Sequence, residues 1–194
     1  MEPLTPRVLG LAVALLAALP PPLPSQAEVP EALQAVILAK ALTFDRALAN
    51  RSGDTLVIVV LEQRSVPESR RAAQAIASGF AAPDLATIAG IPTVVLVVEV
   101  EPGASLVARL TSVHANVVYV GPLRGIDPAD VAGAVREAGA LAMSGVEAHV
   151  IAGVPLGVGM RRGRPIVLVN LRAAQAARAD FSAQLLRLAH VVGQ

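Results

Sequence analysis

The chain has 194 residues, a net charge of +1, 54% hydrophobic residues drawn mainly from Ala, Val and Leu, 2% aromatics and no cysteine. Balanced charge gives no electrostatic case for nucleic acid, and the scarcity of aromatics removes the stacking platforms that single strands need. Without cysteine there is no disulfide, no thiolate metal site and no thiol nucleophile.

Residues 1–27 read differently from the rest. Arg7 precedes a twelve-residue apolar run, Val8 to Leu19, followed by the proline-rich stretch Pro20 to Pro24 and by Ser25-Gln26-Ala27, with small residues at −3 and −1 of a cleavage site. The run is too short to span roughly 30 Å of hydrocarbon as a helix. A cleaved signal peptide over 1–27 is therefore expected in preference to a retained anchor, leaving one exported α/β domain over 28–194 with no stable membrane span after cleavage.

Leu33, Ile37, Ala41, Phe44 and Leu48 recur every three or four residues, so the spacing predicts an amphipathic helix over Pro30 to Asn50. Thr55 to Leu61 is an almost wholly apolar, β-branched run, the pattern of a strand covered on both faces. A helix follows over Ser65 to Phe80, where Ser65 and Glu68 match a capping box and Pro67 suits the first turn. Thr93 to Val98 is a second buried strand, Ala104 to Ser112 a short helix and Asn116 to Val120 a third strand. Asp127-Pro128-Ala129-Asp130 predicts a capped helix over about 128–138. Ala140 to Met143 is too short to assign.

Strands alternating with helices favour βαβ units, so the fold class expected is a single compact α/β domain whose mostly parallel sheet is flanked by helices. A C-terminal antiparallel hairpin is expected from the apolar runs Pro155 to Met160 and Ile166 to Asn170, with Arg161-Arg162-Gly163-Arg164-Pro165 at its tip. A short helix then opens at Asn170, and a last helix begins at Ser182 with an apolar stripe through Leu185, Leu186, Leu188, Ala189 and Val192.

Taken in order, Asn116-Val-Val-Tyr-Val-Gly121, the Gly145 region, Arg164-Pro-Ile-Val-Leu-Val-Asn-Leu171 and Phe181-Ser-Ala-Gln-Leu-Leu-Arg-Leu-Ala189 resemble the landmarks of the YfiR-like periplasmic proteins. Ile37-Leu-Ala-Lys-Ala-Leu-Thr-Phe-Asp-Arg46 resembles the opening helix of one branch. The resemblance implies a compact periplasmic α/β domain, often a homodimer, in a family whose best-known member restrains an inner-membrane diguanylate cyclase by binding its periplasmic sensor region. Redox control through disulfides does not carry over, because this chain has no cysteine.

Catalytic chemistry finds little support. His114, His149 and His190 share no metal-ligand spacing, no Gly-x-Ser-x-Gly elbow occurs, and the acids are scattered at element ends, so neither an enzyme nor a cofactor is expected. Gly153-Val-Pro-Leu-Gly157-Val-Gly159 lacks the Lys-Ser/Thr pair of a phosphate loop, and close sheet packing explains its glycines better. Arg161, Arg162 and Arg164 form the one dense basic cluster, either a solvated turn or a grip for an acidic partner surface. Asp45 and Arg46 stand where the first helix ends. Asp45 is expected to pair with a basic group to hold that helix, with partner contact as the other reading for both residues. Asn170 suits a helix N-cap before it suits a ligand contact. These five charged residues are the expected partner-binding set, for an inner-membrane sensor or cyclase. A periplasmic small-molecule-binding protein serving a transport system is the alternative, with its ligand at the carboxyl ends of the strands.

Overall fold

The computed structural model describes residues 29–101 and 105–193. The expected signal peptide lies outside the described residues. Among those that are described, no helix is long and apolar enough to cross a membrane.

The helices are α1 (Glu31–Leu42), α2 (Leu48–Ser52), α3 (Pro67–Phe80), α4 (Leu106–Ser112), α5 (Pro128–Glu137), α6 (Glu147–Ala152), α7 (Leu171–Ala176) and α8 (Ala183–Leu188). The strands are β1 (Leu56–Glu62), β2 (Thr87–Ile88), β3 (Ile91–Glu99), β4 (Val117–Tyr119), β5 (Leu141–Ser144), β6 (Leu156–Arg161), β7 (Arg164–Asn170) and β8 (His190–Val192). They form one sheet in the order β2-β3-β1-β4-β5-β6-β7-β8. β3, β1, β4, β5 and β6 are parallel neighbours. β2 and β7 pair antiparallel with β3 and β6, and β8 runs parallel to β7. A mostly parallel sheet flanked by helices is the architecture the sequence predicts.

The apolar run of β1 is continuous because both faces are covered. Leu56, Ile58 and Val60 join one core with α1 and α3, while Val59 and Leu61 join a second with α4 and α5. Buried alternate residues of β4 and its continuation divide in the same way: Val117 and Tyr119 join the first core, Val118 and the following Val120 the second. Asp127, Asn170 and Ser182 cap their helices as their sequence positions predict, accepting from the backbone N–H of Ala129, Ala173 and Leu185.

Three boundaries differ from the sequence reading. The first helix stops at Leu42 and resumes only as α2, because Asp45 leaves the helix to form a bridge with Phe181. The cap of α3 is Val66, with no side-chain hydrogen bond, so Ser65 and Glu68 make no capping box. The last helix ends at Leu188. Ala189 adopts an extended conformation, and the β-branched pair Val191-Val192 joins the sheet beside β7 instead of extending an apolar stripe.

Candidate functional site

The connection from β1 through α3 leads to β3 on one side, whereas the connection through α4 leads back to β4 on the other. Adjacent strands whose crossovers diverge in this way leave a crevice at their carboxyl ends. In this chain a cavity of about 500 Å³ opens there. It is lined by the segments that follow β1, β4 and β5 and by the first turn of α1, among them Glu31, Gln34, Glu68, Arg124, Glu147 and His149.

Hydrogen bonds fix the floor of the crevice. Tyr119, at the end of β4, donates from its hydroxyl to Gln34 Oε1 at 2.7 Å, and Gln34 Nε2 donates to the Val29 carbonyl at 2.6 Å. Gly145 leaves room for the Gln34 side chain, whose end a Cβ at residue 145 would displace. Ser144 ends β5 fully buried, its Oγ donating to the Val120 carbonyl at 2.7 Å and accepting from Val146 N–H at 3.0 Å. His149 Nδ1 lies 3.0 Å from the same oxygen. Since the single hydroxyl proton goes to Val120, the imidazole is assigned its proton on Nδ1, which donates to Ser144, leaving Nε2 an acceptor.

Burial pushes the His149 imidazole below its ordinary pKa of 6.5, opposed by a backbone hydrogen bond to Val120. The folded chain therefore keeps the ring neutral where the unfolded chain begins to protonate it. Below about pH 6.5 the unfolded state takes up more protons, so this contribution to stability, present above that pH, is lost as pH falls through the folded value. Urea midpoints compared at about pH 7.5 and about pH 5.5 are expected to fall further for the parent chain than for His149→Asn, which keeps a donor toward Ser144 but does not titrate. Equal falls would remove His149 from this account.

Glu147, on the rim, is held by Arg161 through two hydrogen bonds of 2.6 and 3.0 Å. That contact raises the Arg161 pKa, mainly through the side-chain hydrogen bond. Arg161 ends β6 and pairs in register with Arg164, so Arg162 and Gly163 form the connecting turn, both at positive φ. Arg162 and Arg164 are exposed. The basic tip thus stands beside the crevice.

Asp45 and Arg46 lie elsewhere. The Asp45 carboxylate has no exposed surface: it takes a 2.8 Å ion pair from Arg51 and accepts from the backbone N–H of Ala47 at 3.0 Å and Asp180 at 2.8 Å. Arg51 also donates to the carbonyls of Ala177 and Arg178, and its own carbonyl accepts from Asn116 at the start of β4. This is the helix-holding pair that the sequence reading favours for Asp45, and it leaves no carboxylate oxygen for a partner. Arg46 is exposed and makes a loose 3.8 Å contact with Asp180. Both belong to the amino-terminal edge of the parallel strands, opposite the edge that carries the tip. The structure therefore divides the five expected residues between two ends of the sheet.

Asn170 caps α7 and donates to the Val150 carbonyl, so it is spent on structure. Gly157 and Gly159 allow close packing, since a Cβ on Gly157 would meet Val150 and the Ser144 carbonyl, and one on Gly159 would meet Leu168. Sequence reasoning missed the crevice residues Gln34, Tyr119, Ser144, Glu147 and His149. One local signal was present: Ser144 and His149 stand five apart across the turn from a strand end into a helix. Among the described residues no group of three or more His, Asp or Glu side chains is placed to hold a metal.

A family model described as YfiR/HmsC-like matches residues 31–190. A comparison with curated proteins returns no match. Two solved structures share the fold. One is the ABC domain in complex with L-Trp from Streptococcus pneumonia, at 13% identity and a TM-score of 0.56, covering 84% of this chain and 60% of that one. The other is a conserved domain protein from Vibrio cholerae O1 biovar eltor, at 12% identity and a TM-score of 0.56, covering 86% of this chain and 61% of that one. This chain therefore spans about three fifths of the length of each.

Proposed function

The chain belongs to the YfiR/HmsC-like family, and on that premise we propose that it acts by binding and restraining a signalling protein of the inner membrane, a diguanylate cyclase or a sensor kinase. Members of the family are periplasmic, non-catalytic regulatory proteins, and this chain is periplasmic and not an enzyme. The observation that carries the reading is the family match, which runs from α1 to the start of β8. Export is assigned to residues 1–27 as a cleaved signal, with the domain beginning at residue 28.

The contact surface is assigned to Arg161, Arg162 and Arg164. Three guanidinium groups within four residues, all three exposed beside a strand end, suit an acidic partner face. Arg46 sits at the far edge and is kept only as a secondary contact. Regulation requires that the chain prefer one state of its partner, because equal affinity for two states shifts nothing.

The test is cross-linking capture from the native envelope with a tag after Gln194, followed by binding measurements with the captured protein's purified periplasmic region. Recovery of one inner-membrane sensor or cyclase, with affinity reduced about tenfold or more when all three arginines become alanine, is the expected result. A partner whose affinity ignores those changes would move the interface away from the tip.

A second reading, a small-molecule-binding protein serving a transport system, is favoured by one observation: the polar-floored crevice at the strand ends of a fold shared with a domain solved with L-Trp. Recovery of a transport permease alone in the same capture would support it over the first.

A further inference from the structure

The chemistry of the crevice can be read from which hydrogen-bonding groups are already spent. Its donors turn inward: the Tyr119 hydroxyl goes to Gln34, the Gln34 amide to Val29 and the Ser144 hydroxyl to Val120. Among the described residues Arg124 is the one cation on the wall, and its guanidinium rests 3.5 Å from Glu68 at an exposed position, while its backbone N–H is taken by Gln63. What faces the opening is acceptor capacity. Three carboxylates, Glu31, Glu68 and Glu147, line the wall against that one guanidinium. His149, only 8% exposed, lines the wall too; in the tautomer assigned above, with Nδ1–H at Ser144, Nε2 is the ring's acceptor. Between the polar groups the wall is apolar, with Val66, Leu123 and Met160.

We propose that the crevice is a binding site for a small organic ammonium ion, an amine whose N–H donors meet Glu31, Glu147 and His149 Nε2 and whose hydrocarbon body lies on the apolar wall. An ammonium group brings three donors and one positive charge, which complements a wall of carboxylates with a neutral imidazole acceptor. A cavity of about 500 Å³ lies within the size range of small-molecule sites. An anion would face the Glu31 carboxylate and the ion-paired carboxylates of Glu68 and Glu147. Glu147 is shared: Arg161 holds its two oxygens from outside the wall, so an ammonium ligand competes with Arg161 for that carboxylate. Nothing in this assignment depends on the identity of the membrane partner.

The test is isothermal titration calorimetry on the chain from residue 28 onward, using hexylammonium, hexanol and hexanoate, which share a hydrocarbon body and differ in the head group. Saturable binding of hexylammonium, about tenfold or more tighter than hexanol, with hexanoate showing no saturable heat, is the expected order. Glu31→Gln and Glu147→Gln should each weaken hexylammonium about threefold or more, and Arg161→Ala should tighten it by removing the competitor for Glu147. Hexanoate binding as well as hexylammonium, no saturable heat from either, or affinity indifferent to both glutamate changes would overturn the assignment. Loss of partner capture without any change in this order would instead count against the regulatory reading alone.

Discussion

Changing Asp45 to alanine is expected to destabilise the chain by roughly 3–5 kcal/mol, because it breaks a buried ion pair from one side only. The Arg51 guanidinium, almost wholly buried, would keep its contacts to the Ala177 and Arg178 carbonyls but lose its counter-ion. The backbone N–H groups of Ala47 and Asp180 would lose their acceptor at the same time. That carboxylate is the joint between the first helix and the C-terminal segment: around it Arg46 N–H donates to the Asp180 carbonyl and Ser182 N–H to the Phe44 carbonyl. The control is Arg46→Ala. Its ion pair is 3.8 Å long between exposed groups, and pairs of that kind contribute about 0–1 kcal/mol. Equilibrium urea unfolding compares the two, and Asp45→Ala with Arg51→Met together should restore part of the loss by removing the unpaired cation. If both single changes prove equally mild, the joint does not depend on the buried charge.

This contrast also marks how much of the molecule was legible in its sequence. The parallel strands were, because β1 is the apolar run that a sheet covered on both faces demands; β3 was legible as a strand but not as a buried one, since Val94 and Val97 are exposed on it. The caps at Asp127, Asn170 and Ser182 were legible too, where one side-chain oxygen satisfies a local N–H. β2 was not, since Thr87 and Ile88 carry no periodicity in two residues and pair only with the start of β3. Nor was the stop at Leu188, which follows from an extended Ala189 and from β7 offering a free edge to Val191. The basic tip was visible as composition. The crevice was not, because it joins side chains from α1 and from the turns after three different strands, and no spacing along the chain records which turns meet. His149 looked like an isolated histidine because its partner Ser144 acquires meaning only once β5 is known to end there.

Gly157→Ala is expected to be the most damaging of the small-residue changes, costing about 1–3 kcal/mol, with Gly157→Val costing more. Gly157 pairs with Ser144 across β5 and β6 and with Leu168 across β6 and β7. A Cβ there would collide with the Val150 side chain and stand 2.8 Å from the Ser144 carbonyl, which is backbone and cannot turn aside. Relief must therefore come from moving β5 away from β6, and that displaces Ser144, the residue that holds His149 at the crevice. The damage should consequently appear twice, as lost stability and as weakened binding of hexylammonium, although residue 157 does not line the cavity. Gly133 supplies the opposite control. It lies inside α5 with nothing within 4 Å of a Cβ, so Gly133→Ala should stabilise the chain by about 0.4–1 kcal/mol and leave hexylammonium binding unchanged. If Gly157→Ala behaves like Gly133→Ala in both measurements, the close approach of β5 and β6 does not hold the crevice in shape, and His149 takes its position from α6 alone.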